Sequence, residues 1–192
     1  MTVLGSRPDA LRASGLVLGS RRLAAVGVFG FAVALAAASQ IAIPIPGTPV
    51  PMTLQPLIVV LAGLMLGPTL GAASMVLFLA VGAAGVPVFA PGGAPGVARL
   101  LGPTGGYLIA FPVAAYVAGF IAARKPTLTG RWVGAMLGMV VIFVGGLSQL
   151  TILTGSVRQA IALGITPFAV LDVVKALAAA LIARPRVRST EA

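Results

Sequence analysis

Residues 169 to 183 read AVLDVVKALAAALIA. This stretch has the apolar composition of a membrane span, but Asp172 and Lys175 lie inside it, three positions apart. The whole chain has only three acidic residues, so placing one here is unusual. A charge near the middle of a bilayer costs on the order of 2.5–3.5 kcal/mol on insertion scales. The stretch therefore predicts a membrane helix that carries a polar site.

The composition of the whole chain is also that of a membrane protein. Of 192 residues, 59% are hydrophobic and 8% are charged, and the mean hydropathy is +1.11. Soluble domains carry about 25% charged residues. We therefore predict a single integral membrane domain, residues 1–192, that crosses the plasma membrane (the inner membrane of the cell) several times.

Six apolar segments are candidates for helices that cross a bilayer core of about 30 Å. Proline and glycine separate them, because neither residue is favourable inside a helix. The predicted helices are residues 23–43, 52–66, 68–85, 104–123, 132–153 and 161–183.

The basic residues predict the topology. The positive-inside rule places basic clusters in the cytoplasm, and three clusters flank the predicted spans. An even number of crossings must separate the first two clusters, so the short second segment also crosses, extended through Met52 to Gln55. This predicts an all-α membrane protein with six transmembrane helices, cytoplasmic N and C termini, and two long structured extracellular loops. The clusters are Arg7, Arg12, Arg21 and Arg22; Arg124, Lys125 and Arg131; and Arg184, Arg186 and Arg188.

Several functions are excluded by what the chain lacks. It contains no cysteine and no histidine, which removes thiol chemistry, thiolate metal sites and histidine catalysis. It has no GxxxxGK[ST] motif, so it does not hydrolyse ATP with a P-loop of its own. The net charge of +10 lies beside apolar spans rather than in a basic block with aromatics, which argues against nucleic acid. We predict no enzyme activity, no metal and no cofactor.

The two charges in residues 169 to 183 either neutralise each other or form a binding site. We favour the site, because a buried ion pair is weak evidence for stability. Thr166 as N-cap and Pro167 as first helical residue would start the helix near 167. Asp172 would then lie near its outer end and Lys175 one turn deeper on the same face. Donors on lysine and acceptors on aspartate suit a small polar molecule that has both.

The two long loops and their flanks carry further candidates. Gln55 lies in PMTLQP, Arg99 in GVARLLGPTGGY, and Phe89 and Tyr107 lie nearby. Loops of this length are often functional. The other reading, a solvent-exposed connection with Arg99 as a surface charge, stays open.

The first helix carries small residues at strict four-residue spacing, namely Gly30, Ala34 and Ala38. Small residues at this spacing let helices pack closely in membranes. The spacing alone does not decide between packing inside the bundle and docking of another subunit.

Three stretches resemble a known family: IPIPGTPVPMTLQPLIVVLAGLMLG, GVPVFAPGGAPGVARLLGPTGGYLIAFPVAAYVAG and DVVK. The chain is similar, over roughly residues 25 to 183, to the biotin-specific substrate-binding (S) subunits of energy-coupling-factor (ECF) vitamin transporters. The six-helix fold of that family matches the topology predicted above. One departure is that the family has an asparagine near the end of the third helix, where this chain has Ala83 and Ala84.

The resemblance implies biotin as the ligand. It places Asp172 and Lys175 in the binding pocket, and Gln55 and Arg99 at a mouth built from loops. A carboxylate suits the ureido N–H groups of biotin, and Arg99 or Lys175 suits its carboxylate or ureido oxygen. Phe89 and Tyr107 would pack on the rings. The motifs add Thr53 and Gly105 to the predicted substrate-binding residues.

The resemblance also implies partners, a transmembrane coupling subunit and cytoplasmic ATP-binding subunits, with Gly30, Ala34 and Ala38 as the docking stripe. The alternative function is a stand-alone small-solute carrier or channel, with or without coupling to protons. A proton relay would need several ionisable groups in series, and the predicted spans contain one acid.

Overall fold

The computed structural model describes residues 21–183, and the part of the chain it describes is mostly helical. Arg7, Arg12, Arg184, Arg186 and Arg188, with both predicted cytoplasmic termini, lie outside the described residues. The elements are α1 (Arg21–Gln40), β1 (Ala42–Ile43), β2 (Met52–Thr53), α2 (Gln55–Leu66), α3 (Pro68–Ala83), α4 (Val97–Leu101), α5 (Gly105–Arg124), α6 (Leu128–Thr154), α7 (Val157–Gly164) and α8 (Ala169–Ile182).

Helices α1, α5 and α6 are long and apolar enough to cross a membrane. Helices α7 and α8 pass the same test as one pair, bent by 54°, and α2 and α3 are shorter apolar helices. A chain with three or four such spans is a multi-pass membrane protein, which confirms the predicted class.

The bend between α7 and α8 corrects the prediction of one continuous helix over residues 161–183. Thr166 does not cap α8, because Phe168 occupies the N-cap position and no side chain caps the helix. The Oγ1 of Thr166 instead donates to the carbonyl of Ile161 in α7. Helix α8 begins at Ala169 rather than near residue 167. Asp172 consequently lies in the first turn of α8, where the partial positive charge of the helix N-terminus favours its carboxylate.

The prediction that the second helix extends to Met52 is also wrong. Met52 and Thr53 form β2, which pairs antiparallel with β1 (Ala42 opposite Thr53). The same pairing ends α1 at Gln40 instead of residue 43. Helix α2 begins at Gln55, and Gly67, with φ of 87°, separates it from α3.

Close backbone contacts hold the helices together. A Cβ added at Gly63 of α2 would lie 2.1 Å from the carbonyl oxygen of Ala115 in α5. One added at Gly138 of α6 would lie 3.0 Å from the carbonyl oxygen of Ala114, which is itself fully buried. Small residues at such contacts are typical of membrane helix bundles, where packing and not the hydrophobic effect drives association.

The bundle has two distinct ends. We call the end formed by segments 41–54, 84–104 and 155–168 the loop end. The hairpin end, at the opposite side, contains the turns at residues 67 and 125–127 and the end of α8 at Ala183. The longer connections and the two-stranded pairing lie at the loop end, and the candidate site lies there too.

Candidate functional site

Asp172 and Lys175 form a salt bridge in the first turns of α8. Nζ of Lys175 donates to Oδ1 of Asp172 at 2.6 Å. The side chains are 11% exposed for lysine and 7% exposed for aspartate. Because a carboxylate can accept several hydrogen bonds, Oδ2 retains acceptor capacity beside this bond.

The pair does not lie under solid packing, because both side chains line a cavity of about 60 Å³ at the loop end. This is several times the space that one buried water needs. Six of the eight residues predicted to bind substrate line this cavity. They are Thr53, Gln55, Arg99, Tyr107, Asp172 and Lys175.

Gln55 begins α2 with one residue separating it from the end of β2, so the strand pairing sets its position. Its Oε1 accepts from the hydroxyl of Thr53 at 3.2 Å, which orients the amide. Gln55 is 7% exposed, and its Nε2 has no hydrogen-bond partner among residues 21–183. Buried polar groups are nearly always paired, so this donor indicates where a ligand would accept.

Tyr107 joins three helices at the wall of the cavity. Its hydroxyl donates to the carbonyl of Gly164 at 2.9 Å. Its ring lies over Gly146, where an added Cβ would come within 2.1 Å of Cζ. The side chain therefore packs α5 against α6 and α7 and also lines the cavity.

Arg99 lies on α4, a helix of five residues that starts after Gly96, whose φ is 62°. Its guanidinium packs over Gly93, where an added Cβ would be 1.5 Å from Nη1. Partial burial lowers the pKa of Arg99 from its ordinary value, because desolvation penalises the charged form. A bound anion would offset that penalty.

Phe89 and Gly105 do not line the cavity. Phe89 packs edge-on against Phe78, with ring centroids 5.4 Å apart, and covers Gly82. These contacts anchor the connection after α3 to that helix. Gly105 allows a close approach at the start of α5, where an added Cβ would be 1.9 Å from the carbonyl oxygen of Leu100.

The rest of the lining is mainly apolar and was not predicted. Apolar residues inside apolar segments have the same local sequence whether they line a cavity or pack in the core, so the sequence does not distinguish the two. They are Val50, Pro51, Pro56, Ala90, Thr104, Leu108, Phe111, Ile142, Phe143 and Phe168. Ala83 and Ala84, which stand where the family has an asparagine, lie at the end of α3 outside this lining.

The small-residue stripe of α1 changes character along the helix. Ala38 is 7% exposed and packs inside the bundle. Ala34 is half-buried, and Gly30 is exposed, with nothing within 4 Å of an added Cβ. Close packing within the described residues therefore accounts for Ala38 and does not account for a glycine at position 30.

The described residues contain no group of three or more side chains that could hold a metal ion. Asp172 is the only acidic residue in 21–183, and it is already bound to Lys175. A relay of acids for proton transfer is therefore not present in this part of the chain.

Comparison with known proteins identifies the family. The model of the BioY family matches residues 11–192. This chain belongs to the BioY family. The family assignment confirms the resemblance that the PVPMTLQ, GPTGGYL and DVVK motifs indicate.

Individual BioY proteins agree with this assignment. The chain is 42% identical over 135 residues to a probable biotin transporter of Pyrococcus horikoshii, covering 70% of this chain and 79% of that protein. It is 36% identical over 141 residues to a biotin transporter of Thermotoga maritima, covering 73% and 83%. The crystal structure of the S-component for biotin from an ECF-type ABC transporter superposes with a TM-score of 0.79 at 26% identity, covering 87% and 92%.

Proposed function

We propose that this chain is the biotin-binding S-component of an ECF transporter, a transport subunit and not an enzyme. The observation that carries the proposal is the cavity at the loop end, which combines a carboxylate–ammonium pair with a free amide donor and a second cation. Biotin has an N–H-bearing ureido ring, an apolar body and a carboxylate, and the cavity offers a counterpart for each.

The charges of the cavity match a ligand with one negative charge. Arg99 and Lys175 are cationic and Asp172 is anionic, which leaves one positive charge on the lining. Lys175 is already bound to Asp172, whereas Arg99 has no carboxylate partner within residues 21–183. Arg99 is therefore the residue that takes the biotin carboxylate, because a charge-assisted bond to an unpaired cation is the stronger one.

The ureido ring then belongs at the more buried part of the lining, beside Asp172 and Gln55. Asp172 accepts from a ureido N–H group, while Lys175 and Nε2 of Gln55 donate to the ureido oxygen. This arrangement satisfies the unpartnered nitrogen of Gln55. It also supplies a carboxamide donor in a chain whose third helix ends in alanines instead of an asparagine.

Apolar side chains complete the site. Phe111, Ile142, Phe143 and Phe168 line the cavity and offer surface for the thioether ring and the aliphatic tail. Ligand sites are commonly of this kind, with apolar walls and a few polar groups that fix orientation. Tyr107 contributes ring surface, because its hydroxyl is already bound to Gly164.

The proposed topology has six crossings of the plasma membrane, with both termini in the cytoplasm. Helices α2 and α3 have 12 and 16 residues, which correspond to about 18 and 24 Å, so they cross only with their flanking residues. The loop end then faces outward and collects biotin from outside. Arg124, Lys125 and Arg131 lie at the hairpin end, as the positive-inside rule requires for a cytoplasmic face.

The proposed partners are a transmembrane coupling subunit and cytoplasmic ATP-binding subunits, which would drive release of biotin inward. Gly30 and Ala34 form the accessible part of the α1 stripe, and the space above Gly30 leaves room for a helix of another subunit. Ala38, the third residue of the stripe, is buried within the bundle.

Titration of the purified protein with biotin tests the proposal. We expect saturable binding of one biotin per chain, and we expect mass spectrometry to find biotin in protein purified from biotin-containing medium. Retention of a different vitamin in place of biotin would keep the fold and overturn the specificity. Absence of any bound or binding small molecule would overturn the function.

A further inference from the structure

Gln149 of α6 connects the core of the bundle to α4, the short helix that carries Arg99. Its Nε2 donates to the carbonyl of Leu100 at 3.2 Å and to that of Gly102 at 3.1 Å. Leu100 lies in the last turn of α4, and Gly102 is its C-cap residue. The final carbonyls of a helix have no partner within the helix. Gln149 therefore caps the C-terminus of α4 from another helix.

Close packing beneath α4 gives this cap a defined position. A Cβ added at Gly106 would lie 2.1 Å from the carbonyl oxygen of Gly145 and 2.7 Å from Cβ of Gln149. The backbone of α5 thus lies directly on α6 at this level. Gly105 allows the carbonyl of Leu100 to come close as well. The amide of Gln149 therefore reaches α4 from beside the close contact between α5 and α6, which restricts movement of the Gln149 backbone.

Arg99 depends on α4 for its position. No hydrogen bond or ion pair holds its guanidinium among residues 21–183, where its recorded contact is with Gly93. Long cationic side chains without bonding partners sample many rotamers. The place of this cation at the cavity is therefore set mainly by where the α4 backbone lies, and two hydrogen bonds from Gln149 help to hold that backbone.

We propose that Gln149 is a positioning residue for the anionic end of the ligand, acting on Arg99 through the last carbonyls of α4. The inference rests on the proposed function, because it takes biotin as the ligand and Arg99 as the partner of its carboxylate. Gln149 is not among the residues that line the cavity. Loss of the Gln149 side chain should lower the part of the affinity that depends on the negative charge of the ligand. The part that does not depend on this charge should be unchanged.

The test compares two ligands on matched variants of the full-length protein in detergent. Gln149→Met keeps the length of the side chain and removes its donors. Gln159→Met is the control, because Gln159 is exposed on α7 and its side chain makes no hydrogen bond in the described residues. The ligands are biotin and biotinamide, which lacks the negative charge. Affinities are measured by isothermal titration calorimetry.

We expect Gln149→Met to lower the affinity for biotin about tenfold, in line with a weakened charge-assisted bond. The affinity for biotinamide should fall by less than about twofold. Gln159→Met should change neither affinity. When Gln149→Met is added to Arg99→Met, the affinity for biotin should fall by less than about twofold further. The effects of two substitutions that act through one contact are not additive.

If Gln149→Met lowers the affinities for both ligands equally, or abolishes the binding of both, the inference is overturned. Gln149 would then contribute to the stability of the protein as a whole. Full additivity with Arg99→Met would overturn it as well. Equal affinity of the unaltered protein for biotin and biotinamide would overturn this inference while leaving biotin binding intact. Failure of the unaltered protein to bind biotin would overturn the proposed function itself.

Discussion

The two ends of α8 use buried charge in opposite ways. At the loop end, Asp172 is 5% exposed as a whole residue, and its partner Lys175 lines the same cavity. At the hairpin end, Arg131 is 8% exposed, and its Nη1 donates to the carbonyl of Ala183, the C-cap residue of α8. The degree of burial is nearly equal, but the partners are a side chain in one case and a helix terminus in the other.

In the proposed function, this difference separates a charge that serves a ligand from one that serves the fold. A cation that caps a helix C-terminus satisfies a carbonyl that would otherwise be unpaired. A side-chain pair on a cavity wall can exchange or add partners when a ligand enters. Burial alone therefore does not identify a binding charge, and the identity and surroundings of its partner do.

The largest effect is expected for Asp172→Ala at the loop end. The variant leaves Lys175 buried without its partner and removes the proposed acceptor for the ureido group. We expect biotin binding to weaken by on the order of 2–5 kcal/mol, as for truncation of one partner of a buried charge pair. Calorimetry measures the change, and thermal unfolding of the same sample serves as the control for folding. An unchanged affinity would show that the pair is not part of the site.

A smaller effect is expected for Arg99→Met at the same end. The change removes the cation and keeps an unbranched side chain over Gly93. Biotin affinity should fall by on the order of 1.5–3 kcal/mol, the range for a hydrogen bond to a charged group. Biotinamide affinity, measured in parallel, should change much less. An equal fall for both ligands would place the carboxylate elsewhere in the cavity.

Arg131→Met probes the opposite end of α8. Removing the guanidinium leaves the carbonyl of Ala183 without this donor, so the free energy of unfolding should fall by about 1–3 kcal/mol. Biotin affinity should stay within about twofold of the unaltered protein. Unfolding in detergent followed by tryptophan fluorescence measures the first quantity, and titration measures the second. A loss of affinity without a loss of stability would contradict the assignment of Arg131 to the fold.

The smallest effect on binding is expected for Ala34→Leu on α1. The larger side chain should obstruct docking of the coupling subunit and lower ATP-driven biotin uptake, while the affinity for biotin stays within about twofold. Ala37→Leu is the matched control, because Ala37 is exposed on α1 but lies off the stripe. If Ala34→Leu also abolishes binding, the stripe belongs to packing within the bundle.

The charged part of the site could be predicted from sequence because a charge in an apolar segment is conspicuous and costly. Asp172 and Lys175 stand out against their neighbours for this reason, and Thr53, Gln55, Arg99 and Tyr107 follow from the motifs. All six line one cavity. The apolar walls could not be predicted, since a phenylalanine facing a cavity and one facing the core have the same local sequence.

The features that sequence missed depend on contacts between distant segments. Gln149 caps a helix 47 and 49 positions away, and no local pattern announces such a bond. The pairing of Met52 and Thr53 with β1 replaces the helical extension that the count of membrane crossings favoured. The bend before α8 had a visible signal in Gly164 and Pro167, but the continuous apolar composition of residues 161–183 concealed it.

In the proposed binding mode, the Asp172–Lys175 pair and Arg99 hold opposite ends of one biotin molecule. An experimental structure of the protein with biotin bound is the decisive test of this binding mode. We expect the ureido ring within hydrogen-bond distance of Asp172 and the carboxylate within hydrogen-bond distance of Arg99. Biotin bound elsewhere, or bound in this cavity while Asp172 and Lys175 contact only each other, would contradict it.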